Sequence, residues 1–216
     1  MPRQPSKFGR ERRKMVKDQI SARGVKDPRV LDALLRVPRE WFVQAEYQDL
    51  AYHDRPLPIE QEQTISQPYI VALMVEALRL DENSKVLEVG TGSGYAAAVT
   101  SKLADQVYTI ERHQVLAETA ARRLGDLGYH NVHVRHGDGT QGWPEQAPFD
   151  GIVVAAGGSS VPEALKQQLK IGGRLVIPVG GEKTQSLVLI SRLDEKRFEE
   201  QTGIDVRFVP LLSGKA

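Results

Sequence analysis

Three glycines at alternate positions, Gly90, Gly92 and Gly94, follow the apolar run Val86-Leu87-Glu88-Val89 and precede the small-residue run Tyr95-Ala96-Ala97-Ala98. Glycines spaced this way let a backbone turn sharply after a strand and bring its N–H groups close to a ligand. Thr91 and Ser93, between them, add two hydroxyls. The chemistry this suits is capture of a nucleoside-bearing cofactor. A dinucleotide fingerprint, G-x-G-x-x-G, would need its third glycine at position 95, which is tyrosine. Glu88, beside the loop, suits a cationic ligand and would oppose a pyrophosphate. Two more acids stand where later strands should end: Glu111 after Val107-Tyr108-Thr109-Ile110, and Asp138 in Gly137-Asp138-Gly139. A carboxylate at position 111 can accept hydrogen bonds from both hydroxyls of a ribose. Its spacing, 17 residues beyond Gly94, serves either cofactor class. Ser66, in Thr64-Ile65-Ser66-Gln67-Pro68, can orient a carboxylate through its hydroxyl or cap the helix that Pro68 opens.

The elements that must position these residues fall into two kinds. The front third reads as helices. Met15, Val16 and Ile20 form a stripe that stops at Gly24, and Asp27-Pro28 opens a helix whose buried face is Val30, Leu31, Leu34 and Leu35. Ile70, Leu73, Met74, Ala77 and Leu78 predict a third, with Ser66 or Gln67 near its cap. From residue 85 the pattern alternates. Strands are expected at 85–89, 106–110, 132–135, 150–155, 173–179, 187–192 and 206–209, with helices after Gly94, over 113–127 and near 162–170. This is an α/β, Rossmann-like, doubly wound and mostly parallel sheet with an N-terminal helical cap. Ligands of such sheets bind beyond the carboxyl ends of the strands, where strand order reverses. The expected division is a basic, flexible tail over 1–14, a cap and substrate-side segment over 15–81, and a cofactor-binding core over 82–216. Ala155-Ala156-Gly157-Gly158-Ser159-Ser160 reads as a mobile lip.

Glu88 with the glycine loop resembles the first motif of class I methyltransferases, E/D-x-G-x-G-x-G. That resemblance implies S-adenosyl-L-methionine as cofactor and S-adenosyl-L-homocysteine as product. It implies a cofactor site of Glu88, Gly90, Thr91, Gly92, Ser93, Gly94, Glu111, Asp138 and Gly139, with Asp138 at the adenine amino group.

Several longer segments are similar to those of the protein-L-isoaspartate methyltransferase family. Val37-Pro38-Arg39-Glu40-Trp41-Phe42-Val43 resembles V-P-R-E-x-F-V. Gln63-Thr64-Ile65-Ser66-Gln67-Pro68 resembles Q-T-I-S-x-P, Lys170–Gly180 resembles K-x-G-G-R-L-V-x-P-V-G, and Val206–Leu211 resembles V-R-F-V-P-L. The likeness runs from about residue 14 to 212. It implies methyl transfer to the free α-carboxylate of L-isoaspartyl residues in damaged proteins and peptides, followed by cyclisation to a succinimide. It marks Ser66 as catalytic and Thr64, Ile65, Val209, Pro210 and Leu211 as substrate-binding. One loop departs from the pattern. Where the family has P-I-G-x-G-Q, this chain has Pro58-Ile59-Glu60-Gln61-Glu62-Gln63. Two carboxylates there would repel an anionic substrate across a Debye length of ~10 Å unless they face solvent. Methyltransfer to a different carboxylate or small molecule, and cofactor binding without catalysis, remain as alternatives at this level.

Composition narrows the rest. With no cysteine among 216 residues, thiol catalysis, cysteine-ligated metal and disulfides are excluded. The scattered histidines predict no metal site. A formal net charge of +1 provides no general field for nucleic acid. No apolar run approaches the ~18 residues of a spanning helix, and no signal-peptide core follows the basic start. The expectation is a cytoplasmic monomer whose partners are isoaspartyl peptides and proteins, with no membrane or nucleic-acid partner.

Overall fold

The structure is a computed structural model that describes residues 7–181 and 183–216. Helix α1, Lys7–Lys14, runs on through a π turn, Met15–Ile20, and a 3-10 turn, Ser21–Arg23. Gly24, with φ 102°, ends it in the left-handed conformation expected of a residue after a helix. Helix α2, Pro28–Arg36, begins as its sequence dictates: the Asp27 side chain accepts from Arg29 N, and Pro28 occupies the first turn. A short hairpin, β1 (Leu57–Pro58) with β2 (Thr64–Ile65), leads into α3, Pro68–Leu78.

The remainder alternates. Strands β3 (Lys85–Val89), β4 (Gln106–Glu111), β5 (Val132–His136) and β6 (Phe149–Val154) are joined by α4 (Tyr95–Thr100), α5 (Gln114–Asp126) and irregular chain. Then come α6 (Glu163–Gln167), β7 (Leu169–Gly180), β8 (Gln185–Arg192) and β9 (Phe198–Val206). The seven-stranded sheet has the order β5-β4-β3-β6-β7-β8-β9. It is parallel from β5 to β7 and antiparallel at β7–β8 and β8–β9. The chain winds outward from β3 through β4 and β5, then returns to the other side of β3 as β6. The switch point therefore lies at the carboxyl ends of β3, β4 and β6, where the glycine loop sits.

Alternation along the strands divides the core. Val86, Val107, Val153 and Val176 face the layer that contains α3, α4 and the cap, including Met15, Ile20, Leu34 and Phe42. Leu87, Ile110, Ile152, Leu175 and Ile177 pack on the other face with Leu165 and Leu169. The cap therefore shares one continuous core with the sheet.

Three expectations are corrected. Residues 7–14 are an ordered helix, not a flexible tail; residues 1–6 of that tail lie outside the described residues. Arg12 donates to the Tyr52 hydroxyl (2.8 Å) and to Glu40 (3.0 Å), and Phe8 packs 6.4 Å from the Tyr52 ring. Those partners lie 28 to 44 positions away in sequence, beyond the reach of a local pattern. The last strand is Phe198–Val206, not 206–209. Its exposed, polar residues carry no apolar alternation, and backbone pairing to β8 alone defines it, as suits a guarded sheet edge. The helix expected near 162–170 is only Glu163–Gln167, because Leu169 already pairs with Phe149 in the sheet.

The departing loop is also settled in part. Glu60 and Glu62 are exposed and contribute nothing to the central cavity described below. Glu62 nonetheless holds φ 56°, and Gln61 φ 59°, in the region that favours glycine. A side chain there costs about 1–2 kcal/mol, partly offset by the greater freedom of glycine in the unfolded chain. Glu62→Gly should therefore stabilise the protein by about 0.5–1 kcal/mol. Thermal melting should shift upward by about 1–4 °C; a downward shift would refute the strain.

Candidate functional site

The loop after β3 is built by its backbone. Gly90 N donates to Ile110 O (2.8 Å), tying the turn to the end of β4. Gly94, at φ 87°, is the N-terminal cap of α4, and its N–H closes the turn on Thr91 O (2.8 Å). A Cβ at Gly94 would press on Leu124 at 3.2–3.3 Å, so glycine also lets α5 pack beneath the loop. Arg123, from α5, donates to Ser93 O (2.7 Å) and braces the loop from outside.

A cavity opens above this loop. Gly90, Thr91, Gly92 and Ser93 line one side. Thr64, Ile65 and Ser66 line a second, and Val209, Pro210 and Leu211 a third. Glu111 and Gly139 complete the set of expected residues that reach it. A Cβ on Gly139 would overlap Val89 Cγ1, so only glycine lets this turn pack against the end of β3.

Glu111 is buried to 5% exposure and fixed by two backbone donors, Gly92 N (2.9 Å) on one oxygen and His113 N (3.0 Å) on the other. It both faces the cavity and holds the glycine loop in place. Ser66 lies one residue before the cap of α3. The cap is Gln67, and no side chain caps this helix, so the Ser66 hydroxyl is not committed to it. Its carbonyl accepts from the buried Arg39 (2.8 Å).

Three expected cofactor residues stand behind the lining. Gly94 acts through α4, as above. Glu88 is buried beneath the loop, where Thr109 donates to it (2.7 Å) and Thr91 in turn hydrogen-bonds Thr109 (2.7 Å). Burial, with the neighbouring charge of Glu111 adding to it, pushes its pKa up to about 8 against the Thr109 hydrogen bond. Glu88 therefore supports the loop from below as a mostly protonated acid at neutral pH. The raised pKa has a sign. The unfolded carboxyl ionises near ~4.3, so stability is fully present below that pH and declines as pH rises toward 8. The slope is about 1.4 kcal/mol per pH unit within that window. Glu88→Gln should flatten the decline of thermal stability between pH 5 and 8; an unaltered pH profile would refute a shifted Glu88.

Asp138 does not line the cavity either. It caps the 3-10 turn Gly139–Gln141, accepting from Thr140 N (2.9 Å) and Thr140 Oγ1 (2.7 Å), and its other oxygen accepts from Gly214 N (2.7 Å). Burial works to raise its pKa, but these donors outweigh burial and hold it below the usual carboxylate range. The bond to Gly214 belongs to a strap. Leu211 N donates to Gly157 O (2.7 Å), Gly157 N to Val209 O (2.8 Å), Ala216 N to Arg112 O (2.7 Å), and Gln114 N to Ala216 O (3.1 Å). Residues 209–216 thus run from the loop after β6 to the loops after β4 and β5. The expected mobile lip at 155–160 is pinned at Gly157 by this strap, and at Gly158 by bonds with Pro178 O and Gly180 N.

Residues that the sequence reading did not place at the site also line the cavity: Tyr95, Arg112, His113, Ala155, Ala156 and Leu212. Tyr95 packs edge-on to Phe42 at 5.7 Å and faces the cavity as well, so it is both core and wall. The alternation that marks a strand end could have flagged Ala155, the first residue after β6. Nothing local marks the strap.

These residues fit an adenosyl sulfonium. The glycine loop leaves room for close approach, Glu111 offers a fixed carboxylate suited to a ribose, and the Gly139 wall has no side chain to obstruct a base.

Comparison with known proteins agrees. The family model described as protein-L-isoaspartate(D-aspartate) O-methyltransferase matches residues 10–216. A protein-L-isoaspartate O-methyltransferase of Rhodopseudomonas palustris is 59% identical over 202 residues, 93% of each chain. Protein-L-isoaspartate O-methyltransferase 2 of Marinobacter nauticus is 58% identical over 202 residues, 93% of this chain and 92% of that one. A solved protein-L-isoaspartate O-methyltransferase superposes with a TM-score of 0.84 at 33% identity, covering 92% of this chain and 65% of its own longer chain. A Plasmodium falciparum structure described as the same enzyme, in complex with S-adenosyl-L-homocysteine, gives 0.79 at 26% identity, covering 93% and 98%. The chain belongs to the protein-L-isoaspartate(D-aspartate) O-methyltransferase family.

Proposed function

We propose that this chain transfers a methyl group from S-adenosyl-L-methionine to the α-carboxylate of L-isoaspartyl residues in damaged proteins and peptides. The observation that carries this is the cavity shared by the glycine loop, Glu111 and an uncommitted Ser66 hydroxyl. The bound cofactor supplies an electrophilic methyl on a cationic sulfur. What remains for the protein is positioning. A carboxylic acid ionises near pH ~4, so the nucleophile is already charged and needs no base. Ser66 donates a hydrogen bond to that anion and sets its direction. The first turn of α3, whose N–H groups no side chain caps, favours the same charge. Ile65, Val209, Pro210 and Leu211 exclude water, which would otherwise stabilise the separated charges. Glu111 holds the ribose and the loop together, while Gly90, Thr91, Gly92, Ser93 and Gly139 cradle the rest of the adenosyl group. Glu88, Gly94 and Asp138 act from behind the lining. After release the ester cyclises to a succinimide, whose hydrolysis restores some normal aspartate.

The working form is a monomer. A cytoplasmic setting suits a chain without cysteine. Among the described residues no helix is long and apolar enough to cross a membrane. The test is incubation with methyl-labelled cofactor and matched isoaspartyl and aspartyl peptides. Base-labile label on the isoaspartyl peptide alone is expected. Label on both, or on neither with cofactor bound, would refute the assignment.

A further inference from the structure

Arg39 is 0% exposed, the largest fully buried side chain of the fold. It lies in the 3-10 turn Arg39–Trp41, between the cap and the substrate side of the cavity. Nε donates to Ala51 O (2.8 Å) and Nη2 to Ser66 O (2.8 Å). The guanidinium carbon sits 4.7 Å from the centre of the Tyr95 ring. Tyr95 is the first residue of α4, directly after the glycine loop, and both Tyr95 and Ser66 line the cavity. One cation therefore touches the substrate wall through Ser66 and the donor wall through Tyr95.

Its charge is poorly compensated. No carboxylate among the described residues pairs with it, and Nη1 makes no close hydrogen bond; the buried Tyr95 hydroxyl lies near enough to favour the charged guanidinium. Burial lowers its pKa to about 10, against the opposing influence of Tyr95, Tyr52 and Asp54, and the group stays protonated at neutral pH. A buried, unpaired guanidinium is costly. Two backbone carbonyls could be tied by a neutral amide at lower cost. A cation is favoured when an anion comes to rest nearby, and the substrate carboxylate at Ser66 is such an anion.

We propose that Arg39 is a positioning residue for methyl transfer, holding Ser66 in register with the donor loop and keeping a buried positive charge behind the substrate carboxylate. This rests on the isoaspartyl function proposed above and deepens it. Arg39 touches neither the reacting carboxylate nor the donor; it acts through Ser66 and Tyr95.

The test compares Arg39→Lys, Arg39→Gln, Ser66→Ala and the double variant Arg39→Lys/Ser66→Ala. KM and kcat for an isoaspartyl peptide are measured beside the Kd for S-adenosyl-L-homocysteine. Arg39→Gln should raise KM about 10-fold or more and lower kcat by a similar factor, with the Kd changing less than about threefold. Arg39→Lys keeps the charge and should recover most of the KM while leaving kcat low. Because Arg39 acts through Ser66, adding Arg39→Lys to Ser66→Ala should lower kcat by less than it does in the wild type. Multiplicative losses overturn the role, as does an unchanged KM in Arg39→Gln. Loss of S-adenosyl-L-homocysteine binding together with activity in both single Arg39 variants also overturns it, since a purely structural role would give that result. A wild-type protein that methylates neither an isoaspartyl nor an aspartyl peptide overturns the function, and this role with it. An active wild type whose variants fail the pattern overturns the role alone.

Discussion

Ser66→Ala is expected to lower kcat for an isoaspartyl peptide by about 10- to 100-fold, the size of one lost hydrogen bond to a charged group. The argument is geometric. Gln67, not Ser66, occupies the cap of α3, so removing the hydroxyl should leave the helix intact. Ser66 O, which Arg39 holds, is backbone and survives the substitution. Thermal stability and the Kd for S-adenosyl-L-homocysteine should therefore stay close to wild type while turnover falls. Steady-state kinetics on the matched peptides, with calorimetric titration of the product nucleoside, separate the two effects. A variant with wild-type turnover would show that α3 and the apolar walls orient the carboxylate without the serine.

Glu111→Ala should act in the opposite way. Its carboxylate faces the cavity and also receives Gly92 N and His113 N, so one substitution removes the ribose acceptor and frees the glycine loop. Hydrogen bonds to a charged group contribute about 1.5–3 kcal/mol each. Losing two of them from the ribose should weaken cofactor binding by about 100-fold or more. At saturating cofactor much of kcat should return, because Ser66 and the substrate wall are untouched. A Kd within threefold of wild type, measured by titration with S-adenosyl-L-homocysteine, would remove Glu111 from the cofactor site.

How far these residues could be read from the chain depends on the distance over which their partners act. The glycine loop, Glu111 and the α3 entry are local arrangements: strand, turn and helix follow one another within a dozen residues, so residue types and spacing specify them. Glu88 shows the limit of that reasoning. Its place next to the glycines is plain in the sequence, but its side points to Thr109 on the neighbouring strand, and the pairing of β3 with β4 decides that. Asp138 was expected at an adenine and is found capping its own turn and holding Gly214, 76 positions away. Arg12 lies in the tract expected as a flexible tail, because Glu40 and Tyr52 are brought to it only by the folded cap. Strand β9 has no hydrophobic rhythm to reveal it, since neither of its faces is buried over most of its length.

The strap has one more consequence. Asp138 gives one oxygen to Thr140 and the other to Gly214, yet each carboxylate oxygen has two lone pairs. A donor arriving past Gly139 can share the anion with Gly214 without displacing it. One carboxylate thereby ties residues 209–216 to the turn whose Gly139 borders the cavity. A segment that belongs to no helix or strand thus becomes a wall, held to the loops after β4, β5 and β6.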